Sequence, residues 1–134
     1  MHTNQSNDIM LFTPLTMQVT AEAILAYAEL TNDYNPIHLD PEFAKTTAMG
    51  GVIAHGTMSL NLLWQVLAQT LGSAALRNGV MQIRFQRPVR IGQQVTARGE
   101  TLADAPGEYA IWVENDEGVR VIEGTFKRST ESAA

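Results

Sequence analysis

Two side chains able to transfer protons lie in the segment 30–40, whose sequence is LTNDYNPIHLD. They are Asp33 and His38, a carboxylate and an imidazole, the types that proteins use most often for general acid–base chemistry near neutral pH. Between them, Asn35 offers both a donor and an acceptor, and Pro36 disfavours a helix running through the segment. A turn here can bring both side chains onto one water molecule, so the segment predicts acid–base chemistry on water.

A second segment, GGVIAHGTMS at positions 50–59, immediately precedes a long apolar stretch. The first N–H groups of a helix have no intrahelical acceptor and lie at the positive end of its dipole. Because glycine has no Cβ, Gly56 lets a bulky carbonyl group approach its N–H closely, which predicts an oxyanion site for a thioester. His55 is expected to fix the loop by hydrogen bonding rather than to react, and Thr57 and Ser59 to act as helix caps.

The elements that must position these residues begin with helices. Thr20 predicts the N-cap of a first helix, and Asn32 a left-handed C-terminal cap. Residues 33–40 are expected to form an irregular loop, and Pro41 to begin a short helix. The apolar stripe of the first helix is predicted to consist of Ile24, Leu25, Ala28 and Leu30.

Positions 57–71 are apolar almost all round, with a narrow polar stripe, which predicts a buried helix. That stripe contains Asn61, Gln65 and Gln69. Alternating patterns and turn residues predict one strand before the helices and four after them. Their predicted ranges are 10–19, 79–89, 95–102, 109–113 and 119–126. Together these elements favour an α+β class, with an antiparallel sheet curled around one long central helix, the hot-dog fold.

Composition excludes several classes of protein. The 134 residues fit one domain, expected to span 1–134 with flexible tails at 1–9 and 128–134. A net charge of −5 argues against coating nucleic acid, and the absence of cysteine excludes disulfides, cysteine-ligated metals and a cysteine nucleophile. No apolar run is long enough to span a bilayer, and the amino terminus lacks the plan of a signal peptide. These features predict a cytoplasmic protein that binds neither nucleic acid nor membrane.

The motif Asp-x-Asn-Pro-x-His at 33–38, with Phe43-Ala44 after it and Ile53-Ala54-His55-Gly56 further on, resembles the MaoC-like dehydratases. More narrowly, it is similar to the R-specific enoyl-CoA hydratases (hydratase 2), over roughly residues 15–127. The motif is highly specific, whereas the strand pattern is generic. This sequence departs from the family at Asn32, where glycine usually precedes the aspartate; both residue types tolerate positive φ, so the turn is expected to survive.

The resemblance implies a hot-dog subunit that forms a homodimer or a dimer of dimers, with an acyl-CoA tunnel near the dimer interface. It implies reversible syn addition of water to a trans-2-enoyl-CoA, giving an (R)-3-hydroxyacyl-CoA. By position, Asp33 and His38 would hold and activate the water, with Asp33 as the principal base. The Gly56 N–H would polarise the thioester carbonyl, and Asn35 would support the pair. No metal or redox cofactor is implied, because coenzyme A is part of the substrate.

Two other functions stay open at this point. Hot-dog thioesterases also place a carboxylate near the central helix, and a non-catalytic acyl-CoA-binding module could share the fold. A metal site built from Asp33, His38, Asp40 and His55 matches no established ligand spacing. Three arginines could receive the phosphates of coenzyme A, although solvated strand ends explain them equally well. These arginines are Arg84, Arg87 and Arg90.

Overall fold

A computed structural model describes residues 9–129 of the chain. The predicted flexible tails lie largely outside this range and stay a prediction. The order of elements is β1 (Leu15–Gln18), α1 (Ala21–Thr31), α2 (Pro36–Leu39), α3 (Pro41–Lys45), α4 (Gly56–Leu71), α5 (Ser73–Leu76), β2 (Val80–Phe85), β3 (Gln94–Thr101), β4 (Glu108–Asn115) and β5 (Arg120–Lys127). Among the described residues, no helix is long and apolar enough to cross a membrane.

The five strands form one sheet in the order β1-β3-β4-β5-β2, and every neighbouring pair is antiparallel. Inward-facing positions alternate with outward-facing ones, as in β4, where Ile111 and Val113 are buried and Trp112 lies between them on the outer side. Helix α4 packs against β1, β3 and β4. A curled sheet around one buried helix is the hot-dog fold, and the predicted α+β class is confirmed.

Helix α4 is buried along most of its length, as its sequence predicts. Its fully buried residues include Leu63, Val66 and Leu67, each with no exposed surface. The predicted polar stripe of Asn61, Gln65 and Gln69 faces solvent. The predicted start of the helix moves by one residue, because Gly56 already has a helical backbone. The N-terminus of this buried helix therefore directly follows the segment that contains His55.

The predictions for the first strand and for the apolar stripe of α1 need correction. The first strand is only four residues long, and Leu11 makes just an isolated bridge to Glu100. In α1, Leu25 and Leu30 are 48% and 81% exposed, so they do not belong to the buried stripe. Ile24 and Ala28 form it, because α1 presents only one narrow face to the core.

The predicted irregular loop at 33–40 contains a short helix, α2, in its second half. Pro36 disfavours helical backbone only for the residue before it, and is itself suited to a first helical position. Asn35 caps this turn, since its Oδ1 accepts from the Ile37 N–H at 3.0 Å. The caps predicted at Thr20 and Asn32 and the helix beginning at Pro41 are present.

Candidate active site

The turn after α1 aims Asp33 away from the helix. Asn32 has left-handed backbone angles, φ 56° and ψ 37°, and the N–H of Asp33 donates to the Ala28 carbonyl at 3.0 Å. The carboxylate of Asp33 accepts from the Asn35 N–H at 3.3 Å, and its side chain is 51% exposed. The substitution of Asn for the family's Gly therefore keeps the turn, because Asn adopts this conformation more readily than most other residues.

Helix α2 places His38 with a defined tautomer. Its Nδ1 lies 2.7 Å from the Ile53 carbonyl oxygen. Because a carbonyl oxygen can only accept, Nδ1 carries the proton and donates, which leaves the lone pair of a neutral ring on Nε2. The loop before α4 therefore holds His38 in the form that accepts a proton from a donor such as water.

His55 connects the two members of the pair. It is 3% exposed, and its Nε2 donates to the Asp33 carbonyl at 3.0 Å. Its ring stacks on that of His38, with centroids 3.9 Å apart and planes inclined by 25°. Tyr27, whose ring centroid lies 5.0 Å from that of His55, donates its hydroxyl to Thr57 Oγ1 at 2.6 Å. His55 thus fixes the loop by hydrogen bonding, as its position before the helix predicts.

Asp33, His38 and His55 converge on one point. One carboxylate oxygen and one ring nitrogen from each histidine all lie within 4.8 Å of one another. One ring nitrogen of each histidine is already bonded to a backbone carbonyl. Asp40, the fourth member of the metal hypothesis, is used elsewhere, since its Oδ1 accepts from the N–H groups of Glu42 and Phe43 at the start of α3. A separation of this size can be bridged by one water molecule with two hydrogen bonds.

Gly56 begins α4 beside this point and is covered by an aromatic ring. A Cβ at Gly56 would lie 2.9 Å from Cε1 of Phe85. Since Gly56 is the first helical residue, its N–H has no acceptor within the helix. A carbonyl group can therefore approach this N–H only because position 56 has no side chain.

A cavity of about 350 Å³ adjoins Gly56 between α4 and the segment that follows β2. Most of its wall is apolar, with His55, Gly56 and Ser59 on the α4 side. Asp33 and His38 are not part of this wall. His55 belongs both to this wall and to the cluster with Asp33 and His38, so the cavity and the acid–base pair meet at the N-terminus of α4.

The two predicted caps of α4 are corrected. The helix has no side-chain cap, and Thr57 instead receives the hydroxyl of Tyr27. Ser59 is 2% exposed, and its Oγ has no hydrogen-bond partner among the described residues. The same is true of Nδ1 of His55. Both residues line the cavity, although neither of these two polar atoms is itself exposed to it.

The three candidate arginines lie in different places. Arg84 is exposed on β2, opposite Glu123 in the register with β5, and borders a separate groove on the outer face of the sheet. Arg87 lines the 350 Å³ cavity. Arg90 makes a backbone bridge with Ile53, and its Nη1 lies 3.5 Å from where a Cβ of Gly51 would be. Only Arg87 and Arg90 are therefore close to the candidate site.

Sequence reasoning missed two contributors to the site. The Ile53 carbonyl sets the tautomer of His38, and Phe85 covers Gly56. A backbone carbonyl carries no signal in the residue type. Phe85 has a signal only for its strand, as the last apolar residue of an alternating pattern, and that pattern does not show that it covers Gly56.

The chain matches the family model of the MaoC like domain over residues 7–121. It is 39% identical over 90 residues to the (R)-specific enoyl-CoA hydratase of Aeromonas caviae, covering 66% of each chain. It is 35% identical over 92 residues to the 3-hydroxybutyryl-CoA dehydratase of Methylorubrum extorquens, covering 69% of this chain and 59% of that one. The chain thus spans less than two-thirds of the length of the curated relatives it matches.

Solved structures show the same likeness over a larger share of the chain. The unliganded R-hydratase of Pseudomonas aeruginosa superposes with a TM-score of 0.73 at 25% identity, over 90% of this chain and 87% of that one. The (R)-hydratase of A. caviae has a TM-score of 0.71 at 28% identity, over 92% and 98%.

Fold and loop together define the class: a hot-dog protein with a polar loop against the N-terminus of its central helix. Within that class, the chain belongs to the MaoC-like domain family.

Proposed function

We propose that the protein is a hydro-lyase that adds water reversibly to a trans-2-enoyl-CoA and gives an (R)-3-hydroxyacyl-CoA. The observation that carries the proposal is the convergence of Asp33 and His38, which bring a carboxylate oxygen and a ring nitrogen within 4.8 Å of each other next to the N-terminus of α4. The relatives named hydratase and dehydratase support the same reaction in its two directions.

In this proposal one water donates its two O–H groups to the Asp33 carboxylate and to Nε2 of His38. As the water oxygen bonds to C3 of the enoyl group, Asp33 takes one proton and the π electrons move toward C2. Asp33 then returns that proton to C2 on the same face, while the second proton stays on the new hydroxyl. His38 orients the water throughout, because its Nδ1–H is bound to Ile53. General acid–base groups of this kind contribute about 10²- to 10⁴-fold in rate.

The N–H of Gly56 would polarise the thioester carbonyl during this addition. Charge develops on that oxygen as C3 is attacked, and a fixed N–H at a helix N-terminus stabilises it without reorganising. Asn35 acts as a positioning residue, since its backbone N–H donates to Asp33 and its side chain caps α2. The scheme uses protein groups and coenzyme A thioester alone, so we propose no metal or redox cofactor.

We also propose Arg87 and Arg90 as phosphate contacts for coenzyme A. Arg87 lines the cavity beside Gly56, and Arg90 lies along Gly51 in the loop that leads to α4. Arginine binds phosphate through several donors at once. Arg84 lies on the outer face of the sheet, so it is the weaker candidate of the three and serves as their natural control.

The protein is further proposed to be a homodimer, or a dimer of such dimers, that pairs along β2. This strand lies at one edge of the sheet, and Val80 and Phe85 on it are 54% and 55% exposed. An exposed edge strand with apolar side chains favours pairing with a second chain. A partner on this edge would stand beside the cavity, because Phe85 belongs to both.

The test is incubation of the purified protein with crotonyl-CoA while enoyl absorbance and free thiol are followed together. Loss of absorbance without thiol release is the expected result. Thiol release would instead establish a thioesterase, and no change with several chain lengths would leave an acyl-CoA-binding module. The variant Asp33→Asn should lower turnover at least about 100-fold with an unchanged melting temperature, because the half-exposed carboxylate makes few contacts. Activity close to that of the unaltered protein would refute the assignment of Asp33.

A further inference from the structure

The hydroxyl of Tyr27 ties helix α1 to the first two turns of α4. It donates to Thr57 Oγ1 at 2.6 Å and accepts from Nδ2 of Asn61 at 3.3 Å. The first of these distances is at the short end of the range for O–H···O hydrogen bonds. Thr57 and Asn61 are four residues apart, a spacing that puts both on one face of α4. The proposed reaction gives none of these three side chains a task.

The ring of Tyr27 lies against the histidine that holds the candidate acid–base pair. Its centroid is 5.0 Å from that of His55, with the planes inclined by 59°. His55 in turn stacks on His38 at 3.9 Å and donates to the Asp33 carbonyl at 3.0 Å. The three rings therefore form a continuous series of contacts that runs from α1 to the pair. A displacement of the Tyr27 ring would move His55, because close-packed side chains leave few voids that absorb a shift.

Tyr27 also anchors α1 close to the point where Asp33 leaves it. The carbonyl of Ala28, the residue after Tyr27, accepts from the Asp33 N–H at 3.0 Å. Asp33 and His38 thus belong to the α1 side of the candidate site, whereas Gly56 begins α4. One substrate must contact both sides at once, and a displacement of about 1 Å in a reacting group can cost about 100-fold in rate. The hydrogen bonds of Tyr27 join the two sides directly.

We propose that Tyr27 is a positioning residue that fixes the Asp33–His38 pair relative to the N–H of Gly56. The inference rests on the proposed function, in which the pair holds the water and Gly56 holds the thioester carbonyl. Tyr27 acts through the ring of His55 and through α4, and it takes no part in proton transfer itself. Its hydroxyl therefore governs the rate of the bound complex rather than the affinity for the acyl-CoA.

The test is steady-state hydration of crotonyl-CoA by Tyr27→Phe, which keeps the ring and loses both hydrogen bonds. We expect kcat to fall about tenfold and KM to stay within about twofold, because only the geometry of the bound complex changes. The matched control is Tyr109→Phe, since the Tyr109 ring packs on Phe12 and Phe126 instead, and it should keep both constants. An unchanged kcat in Tyr27→Phe would overturn the proposal even if its melting temperature is lower, since a purely structural role has that signature.

Substitutions at Thr57 test the same hydrogen bond from its other side. Thr57→Val removes the acceptor and should reproduce the loss in kcat, whereas Thr57→Ser keeps a hydroxyl and should restore most of the rate. The double variant Tyr27→Phe with Thr57→Val should be little slower than Tyr27→Phe, since both changes remove one interaction. Losses that multiply would contradict this hydrogen bond as the cause.

Proton NMR of the histidine rings measures the same contact without substrate. The signals of the His55 ring should shift in Tyr27→Phe and in Thr57→Val and stay in place in Tyr109→Phe, because only the first two release the neighbouring ring. Unchanged His55 signals in both would overturn the proposal. Shifted signals in a protein that does not hydrate crotonyl-CoA would keep Tyr27 as the anchor of His55 and refute the reaction. Hydration with an unchanged kcat in Tyr27→Phe would keep the reaction and refute the role of Tyr27.

Discussion

At the scale of single residues, the proposed chemistry depends on how backbone carbonyls divide the ring nitrogens of two histidines. The Ile53 carbonyl accepts a hydrogen bond from the N–H at Nδ1 of His38, and the Asp33 carbonyl accepts one from the N–H at Nε2 of His55. Two imidazoles stacked 3.9 Å apart therefore have different tasks. His38 keeps a lone pair for the proposed water, while His55 holds the loop that carries Asp33.

If Asp33 and His38 act on one water, their removal is not additive. His38→Ala and Asp33→Asn should each lower the rate of crotonyl-CoA hydration at least about 100-fold, and the double variant should be little slower than the slower single one. Steady-state rates of the four proteins make the measurement. If the rate loss of the double variant equals the product of the two single losses, the two side chains act on separate steps. Circular dichroism would check that every variant is folded.

At the scale of elements, the N-terminus of α4 and the end of β2 form one structure. Gly56 supplies the N–H, and the Phe85 ring lies directly above it. A Cβ at position 56 would lie only 2.9 Å from Cε1 of Phe85. Neither element alone would form this proposed carbonyl-binding position. The close packing of Phe85 at the end of β2 against Gly56 at the start of α4 restricts the space in which the proposed thioester carbonyl could bind.

Gly56→Ala should push the Phe85 ring aside and block the carbonyl position. We expect kcat/KM to fall at least about tenfold with little change in melting temperature, because the ring is more than half exposed and can move. Phe85→Leu in the same chain should restore part of the lost activity by making room. If the double variant is as impaired as Gly56→Ala, obstruction by Phe85 is not the cause.

The turn after α1 gives a second test at this scale. Asn32→Gly should leave stability and hydration within about twofold of the unaltered protein, since both residues adopt φ near 56°. Asn32→Val should lower the free energy of unfolding by about 1–2 kcal/mol and reduce activity, because a β-branched residue resists left-handed backbone. Urea unfolding and the hydration assay measure the two effects. Equal stability of the Gly and Val variants would show that the turn does not need this conformation.

At the scale of the whole molecule, the sheet formed by the described residues 9–129 has two edge strands, β1 and β2, and of these two only β2 ends at the cavity. A second copy on β2 would extend the sheet and stand beside Phe85. Dimerisation through β2 would therefore affect the shape of the candidate site.

Val80→Asp should convert the proposed dimer to a monomer. Val80 is 54% exposed on β2, and a buried carboxylate without a partner opposes association. Light scattering after size-exclusion chromatography measures the mass, and Thr13→Asp, at an exposed position before β1, is the control that should stay dimeric. A monomeric unaltered protein, or a Val80→Asp variant that keeps its dimer mass, would contradict pairing along β2.

The sequence by itself determined local and periodic features. These are the buried helix with its polar stripe, the strands, the caps at Thr20 and Asn32, and the motif that groups Asp33 with His38. Each depends on spacing or on one residue's backbone preference. Tertiary structure alone decided that Leu25 and Leu30 face solvent and that Ser59 is buried without a partner. It also decided that the Ile53 carbonyl orients His38, and that Phe85 covers Gly56. These outcomes join segments distant in the chain, and the backbone groups and packing that make them leave no pattern in residue type.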